Sequence, residues 1–330
     1  ETDQAEGYRY LIRLLRLSLE MNMEHSNAST PSFYALSHET AKIGADNPDN
    51  IYLNANINGN QTYKVFGNIG EADYLSFGIK ENRYSIDGTM ISLGEIDIKD
   101  MSVSTSGDFV LYLGGKTDSK NFLQLPENAN MLIVRQTYKD RISQIHATIN
   151  IKALNSDITP ELLTPKKLET QLNQSLAFVS GTAKTFLQWV HEFKTHHRNK
   201  LPLGDQSFFQ AAGGDPKICY LHGYYEFEKN EIMEITTNIP ECEYWNFQLE
   251  NYWMESLDYR HFPIHINESS AILDNDQSIT INVSHAPVNL KNNLITEGRK
   301  NGAMLLRWIG ATEHPIPKVT IRKLDSIGAN

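Results

Sequence analysis

The sequence predicts a mainly β protein with helical segments, α+β overall: two tandem antiparallel β-sandwich units with a jelly-roll-like rhythm, each preceded by helices. Three observations predict this. The chain repeats itself at a spacing of about 170 residues. Short alternating runs separated by Asn, Gly, Asp and Pro fill most of each repeat, as in sandwiches. Helical periodicity stands ahead of each β block.

The first helical segment, "AEGYRYLIRLLRLSLEMN" (5–22), puts Leu11, Leu15 and Leu19 on one face with Tyr8 and Ile12 alongside, an apolar stripe of the kind that covers a core. The β block after it opens at "NPDNIYLNANI" and runs through "QTYKVFGNI" and "FVLYLGG". The second helical segment begins at Thr164 as cap and Pro165 as first helical residue, then aligns Leu168, Leu172 and Leu176. Gly181 is expected to break it, and "TFLQWVHEFKTHH" resumes with Phe186, Val190 and Phe193 on one face. Its β block contains "YYEFEKNEIMEITTNI" and "SITINVS". Four landmarks recur in order. Pro48 and Tyr52 match Pro216 and Tyr220, at an offset of 168; Tyr74 and Phe77 match Tyr244 and Phe247; "SGDFVLYLGG" matches "NDQSITINVSH"; Arg135 matches Arg307, at an offset of 172. Small loop insertions account for that drift. The units are 1–155 and 156–330, with the boundary in "KALNSDITP".

Of the 330 residues 40% are hydrophobic and 21% charged, a globular composition. A net charge of -10 and the absence of a Lys/Arg cluster argue against nucleic acid as a partner. No apolar run approaches the ~20 residues that span a bilayer, and "ETDQAEGYRY" does not read as a signal peptide. These features predict a soluble protein, cytoplasmic or exported with its signal removed. Sequons begin at Asn27, Asn60, Asn173, Asn267 and Asn282, and matter only in a eukaryotic secretory setting. Cys219 and Cys242 cannot build a disulfide framework and are expected as buried free thiols. No motif implies a cofactor.

Residues 213–325 resemble the bacterial family catalogued as Domain of Unknown Function 1214. "GGDPKICY", "EYWNFQLENYWMESLDYR", "NDQSITINVSHAP" and "NNLITEGRKNGAMLLRWIG" carry the resemblance. Asn292, Leu294, Arg307 and Trp308 match the family's closing motif, while Asn293 stands where the family usually has Trp. The first half is similar to the N-terminal partner region of the same proteins. The resemblance implies a β-rich two-part protein without an agreed activity.

Arg135 and Arg307 each follow a continuous apolar run ("MLIV", "AMLL"), the pattern of a strand buried on both faces. A buried arginine must find hydrogen bonds. Its presence in both units favours a structural clasp, formed in the first by Asn121, Arg135 and Asp140. Arg307 could instead offer its fork to an anionic ligand group. The richest stretch is 244–265, which differs most from its counterpart in the first half. With flanking residues it supplies a candidate ligand site of Trp245, Trp253, Tyr259, His285, Asn292 and Arg307. Asp258 and His261 are candidates for an acid–base pair. His261 and His265 lack a third ligand, so no metal site is predicted. The first functional reading is a small-molecule- or glycan-binding β-sandwich protein with its cleft in the second unit. The others are a hydrolase- or lyase-type enzyme using Asp258 and His261 with Arg307 as anion clamp, and a structural or assembly scaffold.

Overall fold

The structure, a computed structural model, describes residues 1–154 and 162–326; the unit boundary read at 155/156 lies outside the described residues. Among these, each half carries eight strands. In the first they are β1 (Asn50–Asn56), β2 (Tyr63–Asn68), β3 (Tyr74–Arg83), β4 (Thr89–Asp97), β5 (Asp108–Leu113), β6 (Phe122–Leu123), β7 (Met131–Thr137) and β8 (Thr148–Ala153). In the second they are β9 (Ile218–Glu226), β10 (Glu231–Asn238), β11 (Tyr244–Leu249), β12 (His265–Asn267), β13 (Ser278–Ser284), β14 (Asn293–Ile295), β15 (Asn301–Ile309) and β16 (Lys318–Lys323). The sheets are β1-β7-β3-β4 with β6-β5-β2-β8, and β9-β15-β11-β12 with β14-β13-β10-β16. Adding eight to each strand number turns one half into the other. The repeat read at four landmarks therefore extends to every strand and every neighbour.

Pairing is antiparallel except at β6 and β14, which join β5 and β13 in parallel. Each of the expected antiparallel sandwiches thus carries one short parallel edge strand. The segments before them, 114–121 and 285–292, return along the sheet instead of closing a tight turn, so the next strand enters in the same direction.

Period-2 alternation explains the apolar runs ahead of each arginine. On β7, Leu132 and Val134 enter the core of the first sandwich, while Met131 and Ile133 lie in a separate cluster outside it. On β15, Met304, Leu306 and Trp308 enter the second sandwich core, while Ala303, Leu305 and Ile309 join that same outer cluster. Each central strand is buried on both faces, and each arginine belongs to the face turned toward the other half.

Three α-helices lie among the described residues: α1 (Thr2–Leu19), α2 (Pro165–His196) and α3 (Gln206–Ala211). Thr164 caps α2 by accepting from Lys167 N at 3.2 Å. Gly181 does not break α2. A Cβ there would stand 1.7 Å from the carbonyl oxygen of Tyr84, so the glycine serves close approach to the first half. Along α2, Phe178, Phe186, Trp189, Val190 and Phe193 face inward.

The stripe read on α1 is corrected. Tyr10, Leu14 and Leu17 are buried, whereas Tyr8 and Ile12 are 64% and 69% exposed. Leu172 and Leu176 of α2 are exposed as well. The buried helix faces are partly polar: Glu6 receives Arg299, and Ser175 donates to Ser18 O. Satisfied polar groups took the positions that hydropathy assigned to solvent. No helix among the described residues is long and apolar enough to cross a membrane.

Candidate functional site

The two halves meet through the sheets centred on β7 and β15. Across β7, Arg135 lies between Tyr52 and Ser76; across β15, Arg307 lies between Tyr220 and Asn246. The loops before β1 and β9 are also built alike. Asn47 Oδ1 accepts from Asp49 N, and Asp215 Oδ1 accepts from Lys217 N, both at 3.0 Å. Tyr52 Oη accepts from Asn47 N at 2.9 Å, and Tyr220 Oη from Asp215 N at 2.8 Å. Each tyrosine thus pins its own loop beside the arginine of its own sheet.

The arginines cross over. Arg135 Nη2 donates to Gly213 O at 2.6 Å, and Arg307 Nη2 donates to Ala45 O. Gly213 and Ala45 both stand two residues before the loop residue just described, Asp215 and Asn47. Both have left-handed backbone, with φ of 102° and 61°. Ala45 takes that conformation at a cost of roughly 1–2 kcal/mol, held by Ala45 N donating to Met254 O at 2.8 Å.

The crossing is symmetric in geometry and unequal in charge. Arg135 Nη1 lies 3.6 Å from Asp215 Oδ2, too far for a hydrogen bond, and is buried without one. Beside it Lys80 is paired with Glu95. Arg307 meets neutral acceptors: Gln248 Oε1 at 2.6 Å and Asn246 Oδ1 at 3.4 Å, besides Ala45 O. Asn246 in turn donates to Asn47 Oδ1 at 2.8 Å, where the other half has Asp215. Gln248 also donates to Glu250 Oε1 at 2.9 Å. Burial pushes the Glu250 carboxyl up to about 8, against a smaller opposing pull from Arg307.

Between these layers lies a cavity of about 140 Å³, lined by both arginines, Tyr52, Tyr220 and His222. Its other wall is aromatic. Tyr84 meets Phe186 edge-on at 6.0 Å, Phe186 meets Trp189 at 5.5 Å, and Trp189 meets Phe209 at 5.4 Å. His222, 3% exposed, closes this chain at 4.7 Å from Phe209. Burial, then Arg307 and His197, drive its pKa well below the ordinary value, so the imidazole is neutral. Its Nδ1 is buried without a partner.

Of the ligand residues read from sequence, only Arg307 lines this cavity. Trp245 is buried in the second sandwich core, 6.1 Å from Trp308. Trp253 covers Gly7 of α1 and donates to Asp3 O at 2.7 Å. Tyr259 lies under Lys42 and Arg141. His285 stacks on Phe227 at 4.2 Å and faces Thr296. Asn292 donates to Ile272 O and Thr280 O, fastening an edge loop. These five do not converge, because strand alternation and loop packing direct them into separate environments.

The acid–base pair does not assemble either. Both Asp258 carboxylate oxygens face Arg260, at 2.9 and 2.7 Å, which holds the carboxyl low, at about 2. His261 is exposed and touches Asp258 only through the backbone. The clasp drawn within the first half is corrected too. Asn121 binds Ser102 and Val110 O, and Asp140 binds Ser143, while Arg135 fastens to the second half. His265 is taken by Asp49 at 3.1 Å. Cys219 and Cys242 are free thiols. Among the described residues no group of three or more His, Cys, Asp or Glu could hold a metal ion.

Tyr52, Tyr220 and Asp215 escaped the sequence reading as site residues although "NPDNIY" and "GGDPKICY" were its repeat landmarks. His222, Phe186 and Trp189 carried no signal beyond strand and helix periodicity.

The solved structure of an uncharacterised protein from Burkholderia cenocepacia matches 98% of this chain and 89% of its own, with 39% identity and a TM-score of 0.94. The chain belongs to that protein's family. The VPA0106 protein from Vibrio parahaemolyticus shares the fold, with a TM-score of 0.55 at 11% identity over 95% of this chain and 98% of its own. No family model matches the chain. No curated protein matches it.

Proposed function

We propose that this member of the Burkholderia cenocepacia protein's family binds a small molecule in the cavity between its two β units. Membership of the Domain of Unknown Function 1214 family, on the motifs quoted above, is part of the same reading. The observation that carries the function is the cavity's composition: two buried guanidinium groups opposite a continuous aromatic wall that ends in a buried imidazole. Polar groups converging opposite an aromatic wall are the make-up of a ligand site. About 140 Å³ is close to the ~150 Å³ that accommodates benzene in an apolar protein cavity. A glycan chain exceeds it, which narrows the ligand from the wider sequence reading to a single small ring or its equivalent.

The test is a thermal-shift screen of small neutral and anionic aromatics against the full chain, alongside native mass spectrometry of the protein as purified. Ile133→Phe, which fills the cavity from β7, serves as control. Binding is expected in the parent and not in the variant. A flat screen with no copurified molecule would leave the scaffold reading and sink this one.

A further inference from the structure

Within the cavity, Arg307 presents a positive charge whose three hydrogen bonds all go to neutral acceptors. No carboxylate lies in ion-pair range of it among the described residues. The neighbouring cations differ. Arg135 has Asp215 and Lys80 has Glu95, while Lys42, which does not line the cavity, donates to the carbonyls of Ser256 and Leu257. Asp46, a buried carboxylate that lines the cavity, is engaged by Ser256 N and Oγ, and Asp49 by Tyr244 and His265. Glu250 approaches Arg307 only through Gln248, and burial keeps it largely protonated near neutral pH. Of the two cations that line the cavity, Arg307 is therefore the one left without an ion-paired carboxylate, which a low-dielectric interior tolerates poorly.

Two further unpartnered polar atoms belong to side chains that line the same cavity. Arg135 Nη1 is buried without a hydrogen bond, and so is Nδ1 of His222. A buried polar atom without a partner, beside a cavity, marks a place for one. Three positions able to give hydrogen bonds or charge to an anion thus line a cavity walled on its other side by Tyr84, Phe186, Trp189 and Phe209, with Asp46 and Asn47 among the remaining lining residues.

We propose that the ligand is a small organic monoanion, an arene monocarboxylate of about the size of benzoate. Its carboxylate accepts from Arg135 Nη1 and His222, its charge answers Arg307, and its ring lies against the aromatic wall. The class follows from the parts: one uncompensated positive charge calls for one negative charge, and the wall and volume call for one ring. This inference rests on the cavity being a ligand site at all, and the test separates the two.

Isothermal titration of the full chain at pH 7 would use benzoate, benzyl alcohol and sulfate. Benzoate is expected to bind at least about tenfold more tightly than benzyl alcohol, with sulfate failing to displace it. Arg307→Gln and His222→Phe should each weaken benzoate by about 10–100-fold, the range of a charge-assisted bond, and leave benzyl alcohol nearly unchanged. His222→Phe keeps the aromatic packing, and the comparison of ligands needs no variant, so a folding defect in one protein does not blunt the test. Equal affinity for benzoate and benzyl alcohol would overturn the anion and keep the cavity. Displacement of benzoate by sulfate at similar concentration would overturn the arene. Binding of none of the three would overturn this proposal, and the flat screen described above would take the cavity reading with it.

Discussion

Arg135 and Arg307 hold matching places in two copies of one sheet and reach matching carbonyls, yet their surroundings diverge. Arg135 stands among charges: Asp215 in the opposite loop, and Lys80 with Glu95 on its own sheet. Arg307 stands among amides, with Asn47, Asn246 and Gln248 around it and Glu250 behind. Several positions separate the copies, Ser76 and Asn246 among them. Asp215 corresponds to Asn47, Gly78 to Gln248, and Lys80 to Glu250. A fastener needs the geometry in both halves. The charge is needed in neither for fastening alone, so the half that leaves its cation unanswered is the half from which to expect binding.

The largest expected effect breaks the comparison on stability. Arg135→Gln strips Asp215 of its cation in a buried setting and should cost ~3–5 kcal/mol in urea denaturation. Arg307→Gln should cost less, ~1–3 kcal/mol, since a neutral donor still serves neutral acceptors. Equal losses would mean that the two sites are electrostatically alike.

Glu250 sharpens it through pH. Its folded-state pKa of about 8 lies above the ordinary 4.5, so between those values the native state retains a proton that the unfolded chain has released. Stability should fall as pH rises through that window, by on the order of a few kcal/mol in all. Glu250→Gln should flatten the profile and be more stable than the parent at pH 8. Parallel profiles for the two proteins would contradict a neutral Glu250.

Exchanging the loop residues comes next. Asp215→Asn should cost ~1–3 kcal/mol by leaving Arg135 without its carboxylate. Asn47→Asp should weaken benzoate by about tenfold by placing a competing anion beside Arg307. Asp258→Asn is the smallest change. It removes an exposed pair with Arg260 worth ~0–1 kcal/mol and should leave benzoate affinity unaltered. A large loss of binding there would return the site to the Trp- and His-rich stretch.

The fold was legible because repetition and period-2 alternation are local signals: the apolar runs before both arginines announced strands buried on two faces. The need of a buried Arg135 for hydrogen-bond acceptors was legible. Its partner was not, since Gly213 O lies 78 residues away and Ala45 O lies 262 residues from Arg307. Within-unit partners such as Asn121 and Asp140 were the only ones that sequence proximity could offer. The richness of 244–265 misled for a physical reason. Trp245, Trp253 and Tyr259 are large and apolar, and burial claimed each in a different place. On α1, polar residues that found partners inside reversed the face that hydropathy chose.

The crossed arginines have a consequence for the halves as objects. Each half carries a hook, its arginine, and an eye, the carbonyl two residues ahead of its pinned loop. Hook and eye on the same half do not meet; each closes on its sibling. One half therefore contains everything needed to latch onto a second copy of itself, and the present chain is such a pair threaded on a single string. Being threaded freed one latch to change its electrical character while the other kept the pair shut.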